Sequence, residues 1–280
     1  MNHAGRRLFS TVMVTVTFLC AILALIPLIS ILGYLISKGL TSINLDFFTH
    51  LPKPVGESGG GMANAIVGTI LLISLACAWA LPIGIFGGVY LAEYGNNRPA
   101  AIIRFTADVM TGIPSIVVGI FAYSLFVLPL KTFSALSGAF ALGFMLIPIV
   151  LRTTEEMVRT VPNTLREAAL ALGISRFRTT VNIVMKTALP GIMTGVLLAI
   201  ARVAGETAPL LFTAFGNRIW SHSLMEPIAA LPLQIFVYAI APFDDWHRQA
   251  WAGALVLIGM IFSLTLTSRF LTRNKYRIQT

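Results

Sequence analysis

Residues 9–36 and 63–90 each run for 28 positions without one Asp, Glu, Lys or Arg. A helix needs about 20 apolar residues to cross the hydrocarbon core of a bilayer. No water is available there, so a spanning segment must satisfy its own backbone hydrogen bonds, as a helix does, or close into a barrel. A barrel would show short alternating segments, and these runs are long and continuous. The chain is therefore an all-α integral membrane protein. Its composition agrees, with 56% hydrophobic and 11% charged residues where an ordinary soluble domain has about a quarter charged. Further apolar runs at 102–130, 136–151, 188–212 and 250–270 bring the expected spans to six. An even number of crossings puts both termini on one side.

The net charge of +9 does not point to nucleic acid, because the basic residues flank apolar runs and form no stripe interleaved with aromatics. They act as topology signals. Of 20 Lys and Arg, only Lys38, Lys53, Lys131, Arg218 and Arg248 fall in the loops opposite the N-terminus, and Arg202 lies within a span. The positive-inside rule then sets both termini in the cytoplasm. A seventh apolar run, 224–242, holds Glu226, Pro227 and Pro232; counting it as a crossing would expel the basic C-terminal tail, so it is expected as a re-entrant or outer-face helix. The run that begins at Phe9 is too long for a cleaved signal and is read as an uncleaved first span. Cys20 and Cys77 lie in apolar runs and the four histidines are scattered, which supports neither a disulfide framework nor a metal site. Residues 1–60 are expected to form the N-terminal span and outer loop, 61–273 the main membrane domain, and 274–280 a cytoplasmic tail.

The longest inner segment, 152–190, is not a plain linker. "PNTLREAALALG" (162–173) predicts a short helix with Pro162 at its start, Asn163 or Thr164 as cap and Gly173 at its C-terminal stop. A second helix, "SRFRTTVNIVMKTAL", runs on into the fifth span. Within 161–187, Glu167, Ala168, Ala169, Gly173 and Ile183 stand in the register of the EAA loop of bacterial ABC-importer permeases, with Met185–Lys186 where that pattern has Leu-Pro. The segments 112–123 ("GIPSIVVGIFAY"), 151–173 and 191–214 ("GIMTGVLLAIARVAGETAPLLFTA") more specifically resemble the permeases of phosphate importers. That resemblance implies a MetI-like permease fold in the bacterial inner membrane, with the short helix as a coupling helix seated on an ATPase. It further implies a PstC-like second permease, a PstB-like ATPase dimer that would hold ATP and Mg, and a PstS-like periplasmic phosphate-binding protein. The chain itself has no G-x-x-x-x-G-K-[ST] loop, so no Walker-type nucleotide site is its own and no cofactor is expected in it.

Two charges interrupt the fifth apolar run, Arg202 and Glu206 in "LLAIARVAGETAPLLF" (197–212). On a continuous helix they share a face, and Arg202 would lie on the order of 20 Å from the inner end of the span. A charge at that depth costs at least about 2.5 kcal/mol on insertion scales and must face protein or a watery cavity. One reading is a salt bridge that pins the helix to a neighbour. The other is an anion path: the Arg202 guanidinium matches an oxyanion with parallel donors, while Glu206 weakens its hold and accepts from the hydroxyl of hydrogen phosphate, which sulfate lacks. Arg152 is expected to snorkel at the inner end of the fourth span or, as the resemblance suggests, to meet the anion at its exit. Arg104 and Asp108 are expected to pair along one helix, and the Thr111 and Ser115 hydroxyls to bond to backbone beside Pro114.

The alternatives are an ion-coupled secondary anion transporter with Glu206 as its coupled group, an ABC permease for another oxyanion, and an intramembrane enzyme. The first favours internal repeats, which are not evident. The last lacks HExxH, G-x-S-x-G or a nucleophile with its base.

Overall fold

A computed structural model describes residues 3–57 and 59–275, so the expected tail beyond residue 275 lies outside the described residues. The elements are α1 (His3–Gly39), α2 (Leu45–Thr49), α3 (Ala63–Tyr94), α4 (Arg98–Gly112), α5 (Ser115–Leu130), α6 (Ala135–Arg159), α7 (Asn163–Ala171), α8 (Arg176–Ala204), α9 (Ala208–Thr213), α10 (Leu231–Ala239) and α11 (Asp244–Lys275). Among the described residues there is no strand beyond an isolated Phe215–Ile228 bridge. α1, α3, α6, α8 and α11 are long and apolar enough to cross a bilayer, and α4 with α5 forms a sixth, bent pair.

Two expected spans are corrected. The third, 102–130, is not one rod: α4 and α5 meet at 106°. Pro114 excludes the helical conformation from the residue before it, and Ile113 is extended with ψ 130°. The fifth, 188–212, begins earlier, at Arg176, and stops at Ala204, where Gly205 caps it before the short α9. The 224–242 run contains a loop followed by α10. Nine residues of helix rise only about 13 Å, so α10 does not cross.

α6 is the hub of the bundle. In its most apolar 18-residue window 61% is buried, against none in α1. Its main partner is α3, which presents Ala76, Ala80, Gly84 and Gly88 as a buried stripe four residues apart. Small residues at this spacing let membrane helices approach closely. A Cβ on Gly84 would stand 2.8 Å from the Cβ of Val150, and one on Gly88 would stand 2.6 Å from the Leu151 carbonyl oxygen. Leu72, Leu142, Leu146, Val150 and Ile192 complete this core. α1 stands aside and touches α11, where Tyr34 meets Trp251 edge-on at 5.0 Å.

The two ends of the bundle differ. One carries Arg104, Arg152, Arg159 and Arg166 and is called the basic end below. At the other, residues 213–230 fold back over the helix ends. The N–H groups of Ser134 and Ala135 donate to the carbonyls of Thr213 and Glu226. Asn64 donates to the Asn217 carbonyl at 2.7 Å, and the Thr69 hydroxyl accepts from the N–H of Leu231 at 2.7 Å. The chain turns there through Phe215 and Gly216, both with positive φ.

Candidate functional site

Gly205 decides the geometry around the two intramembrane charges. Its N–H donates to the Arg202 carbonyl at 3.3 Å and that of Glu206 to Val203 at 3.1 Å, the tightened bonds that close a helix. Past that point the backbone no longer follows α8, so the expected common face of Arg202 and Glu206 is lost. Among the described residues the two form no ion pair with each other or with any other group. Arg202 is exposed in the isolated chain and Glu206 is half-buried. Arg202 sits in the last turn of α8, where the helix dipole favours a cation. The pin reading is thereby corrected in its geometry: the chain leaves both charges uncompensated at a broken helix.

The same break brings two sequence segments together. α9 crosses α5 at Gly119, where a Cβ would stand 2.9 Å from the Pro209 Cα and 3.2 Å from the Ala208 carbonyl oxygen. "GIPSIVVGIFAY" and "GETAPLLFTA" are thus neighbours that touch where Gly119 leaves no room for a Cβ. Thr111 donates to the Asp108 carbonyl at 2.8 Å, the backbone role expected of it.

At the basic end Arg104, Arg152, Arg159 and Arg166 are all paired. The side chain of Glu155 is only 3% exposed, and it binds Arg104 at 2.6 Å, Arg159 at 2.7 Å and Arg152 at 3.2 Å. Arg152 also forks onto both carboxylate oxygens of Asp108 at 2.8 Å. Arg104 donates further to the carbonyls of Leu91 and Gly95 at 2.7 and 3.0 Å. The expected Arg104–Asp108 pair is not made: both side chains turn from α4 to α6, because Glu155 and Arg152 offer partners inside the fold. Arg152 is thus held by Asp108 and Glu155 among the described residues, with a third of its side chain still exposed. Sequence reasoning missed Glu155, although "RTTEEMVR" (152–159) places acids three and four residues from two arginines, the spacing at which helical side chains meet.

The short helix α7 is present as expected, but neither Asn163 nor Thr164 caps it; Pro162 takes the N-cap position and no side chain bonds there. Its end is a complete Schellman motif. Gly173 adopts φ +76°, its N–H donates to Leu170 at 2.9 Å, and that of Ile174 donates to Ala169 at 3.1 Å. Ala169 is buried against the bundle, while Glu167, Ala168 and Leu172 face outward. Arg166 anchors the helix, with two N–H groups on Glu93 of α3 at 2.7 and 3.1 Å and one on the Val158 carbonyl of α6 at 3.0 Å. The Glu93–Arg166 pair joins residues 73 apart in sequence, and no local pattern announces it.

The described residues thus form a multi-pass helical membrane protein with a close-packed helix pair, a broken span whose two charges are unpaired, and a short helix at one end. The chain belongs to the family of binding-protein-dependent transport system inner membrane components, whose profile matches residues 84–275. It is similar to "Phosphate transport system permease protein PstA" of Xylella fastidiosa (strain 9a5c), at 47% identity over 98% of this chain and 96% of that one. The protein of the same name from Haemophilus influenzae is 44% identical over 96% of each chain. "Phosphate transport system permease protein PstA 1" of Mycobacterium tuberculosis (strain ATCC 25618 / H37Rv) is 37% identical over 98% of this chain and 91% of that one. Among solved structures, a chain of the MetNI methionine ABC transporter in an inward-facing conformation shares the fold, with TM-score 0.60 at 14% identity over 77% of this chain and 98% of that one. The protein is therefore a transport component and not a catalyst, with the fold of an ABC-transporter permease.

Proposed function

We propose that the chain forms half of the path by which inorganic phosphate is imported through a bacterial inner membrane, driven by ATP hydrolysis in a partner. The observation that carries this reading is Arg202, a permanently charged, exposed group with no ion-pair partner among the described residues at the broken end of α8. The relatives' names supply the substrate class. An unpaired guanidinium at a helix break is open to an anion, and phosphate oxygens match its planar donors. Glu206, a few residues beyond, limits the attraction so that the ion can leave. A desolvated oxyanion held by a cation alone would bind without release.

The remaining parts follow from this reading. The basic end faces the cytoplasm, both termini lie there, and residues 213–230 face the periplasm and a PstS-like phosphate-binding protein. A PstC-like permease completes the path. A PstB-like ATPase dimer holds ATP and Mg, and it receives the outward side of α7, with Glu167, Ala168, Ala169 and Gly173 shaping the joint. Domain organisation follows the same division, with residues 1–60 as an accessory span and outer loop and 61–273 as the permease proper.

The test is reconstitution of the full chain, with the subunits that co-purify in mild detergent, into proteoliposomes. Phosphate uptake should require both ATP and a phosphate-loaded binding protein. Uptake driven by a proton or sodium gradient without ATP would establish the secondary-transporter alternative instead. Orientation is read separately: after replacement of Cys20 and Cys77, a cysteine at His222 should react with an impermeant reagent added from outside. Protection there together with labelling of the basic end would invert the topology.

A further inference from the structure

Beside the ends of α3 and α8 at the basic end lie two openings that share Tyr94 and Thr180. The first is a polar recess of about 240 Å³ lined by Glu93, Arg166, Arg176, Thr179 and Thr180. The second is an apolar groove of about 420 Å³ lined by Phe86, Val89, Phe177, Val181, Met185 and Leu189, with Lys186 at its rim. The charge of Glu93 is already taken by Arg166 at 2.7 Å, whereas Arg176 and Lys186 are exposed and form no ion pair among the described residues. With one acid and three bases, the pair of openings carries a net charge of +2.

A second observation points to a ligand in the recess. Thr179 is 4% exposed, and its hydroxyl is buried with no hydrogen-bond partner. A threonine in a helix ordinarily donates to the carbonyl four residues back, as its neighbour Thr180 does to Arg176 at 3.1 Å. A buried hydroxyl left without a partner carries a desolvation cost that an acceptor in the recess would relieve. We propose that these two openings form one site for an anionic phospholipid. Its phosphodiester accepts from the Thr179 hydroxyl and the Arg176 guanidinium, Lys186 adds charge from the rim, and an acyl chain lies in the groove between α3 and α8. Clefts between membrane helices that join basic side chains to apolar walls suit anionic lipids. A free phosphate ion would use the same donors but has nothing to place in the groove, and the groove favours the lipid.

The experiment measures lipid retained by the full chain, extracted with its accompanying subunits, using native mass spectrometry after exchange into phosphatidylglycerol or phosphatidylcholine. Selective retention of phosphatidylglycerol is expected. The exposed-site variant Arg176→Gln/Lys186→Gln should weaken it about thirtyfold, about fivefold per cation lost, and Thr179→Val should weaken it with the complex intact. Val181→Trp, which fills the groove and leaves the cations in place, should also displace the lipid. Equal retention of both lipids, or no loss in the double variant, would overturn the proposal. Displacement of the lipid by millimolar inorganic phosphate, with Val181→Trp without effect, would assign the recess to the free ion. Lipid retention is read without transport, so a wrong substrate in the proposed function leaves this result unchanged, and a failure here leaves phosphate uptake untouched.

Discussion

The basic end and the broken span treat charge in opposite ways. At the basic end, Glu155 is ringed by three arginines and Glu93 is held by Arg166, so that α3, α4, α6 and α7 are fastened across the bundle. At the break after Ala204, Arg202 and Glu206 stand close in sequence yet their side chains form no ion pair among the described residues. Both regions keep charges in or near a membrane, where they are costly. Paired charges fasten the helices that carry α7, and on the proposed reading the unpaired ones at a broken helix are available to a passing ion. On that reading pairing, more than depth, separates the Glu155 cluster from Arg202 and Glu206.

Substitutions on the two sides should fail in different ways. The largest effect is expected of Glu155→Gln, which takes their carboxylate from Arg104 and Arg159 and leaves Arg152 only Asp108. Breaking a buried ion-pair cluster costs about 3 kcal/mol or more, so the thermal midpoint of the purified chain should fall sharply along with its yield. A variant as stable as the parent would show that the cluster is not structural. Arg202→Gln should leave that midpoint unchanged while phosphate uptake drops on the order of a hundredfold, the scale on which a donor aimed at an oxyanion matters. If it unfolds the chain instead, the two regions are alike.

Gly173→Val should cost about 1–2 kcal/mol of local strain, because a β-branched residue resists the left-handed backbone. Substrate-stimulated ATP hydrolysis and uptake should fall together while affinity of the binding protein for phosphate stays the same. The smallest change is expected of Glu206→Gln, about threefold in uptake, accompanied by a weaker preference for phosphate over sulfate in competition. An unchanged sulfate ratio would leave Glu206 only its tempering role.

Much of this architecture is legible in the sequence. Apolar run length gives the spans, and "EAALALG" gives α7 with its glycine stop, because both depend on short-range chemistry. The Arg202–Glu206 face was misjudged because apolar content does not say whether a helix continues through Gly205-Glu206-Thr207, and helix periodicity presumes that it does. Pro114 was visible in the sequence, but not the 106° turn it allows. The pairs that matter most at the basic end, Arg104 with Glu155 and Arg166 with Glu93, join residues 51 and 73 apart. Tertiary packing brings such partners together, and in it the close approach of α3 and α6 rests on Gly84 and Gly88, whose role shows once the helices are packed.

The most direct test of the distinction is phosphate uptake by the charge-swapped Arg202→Glu, Glu206→Arg chain in an assembled complex. A salt bridge would survive the exchange, whereas a cation aimed at a passing anion would be moved to the wrong place. The account predicts a complex of normal yield and stability whose uptake is as low as that of Arg202→Gln. Uptake restored to the parental rate would contradict it and return the two residues to a structural pair.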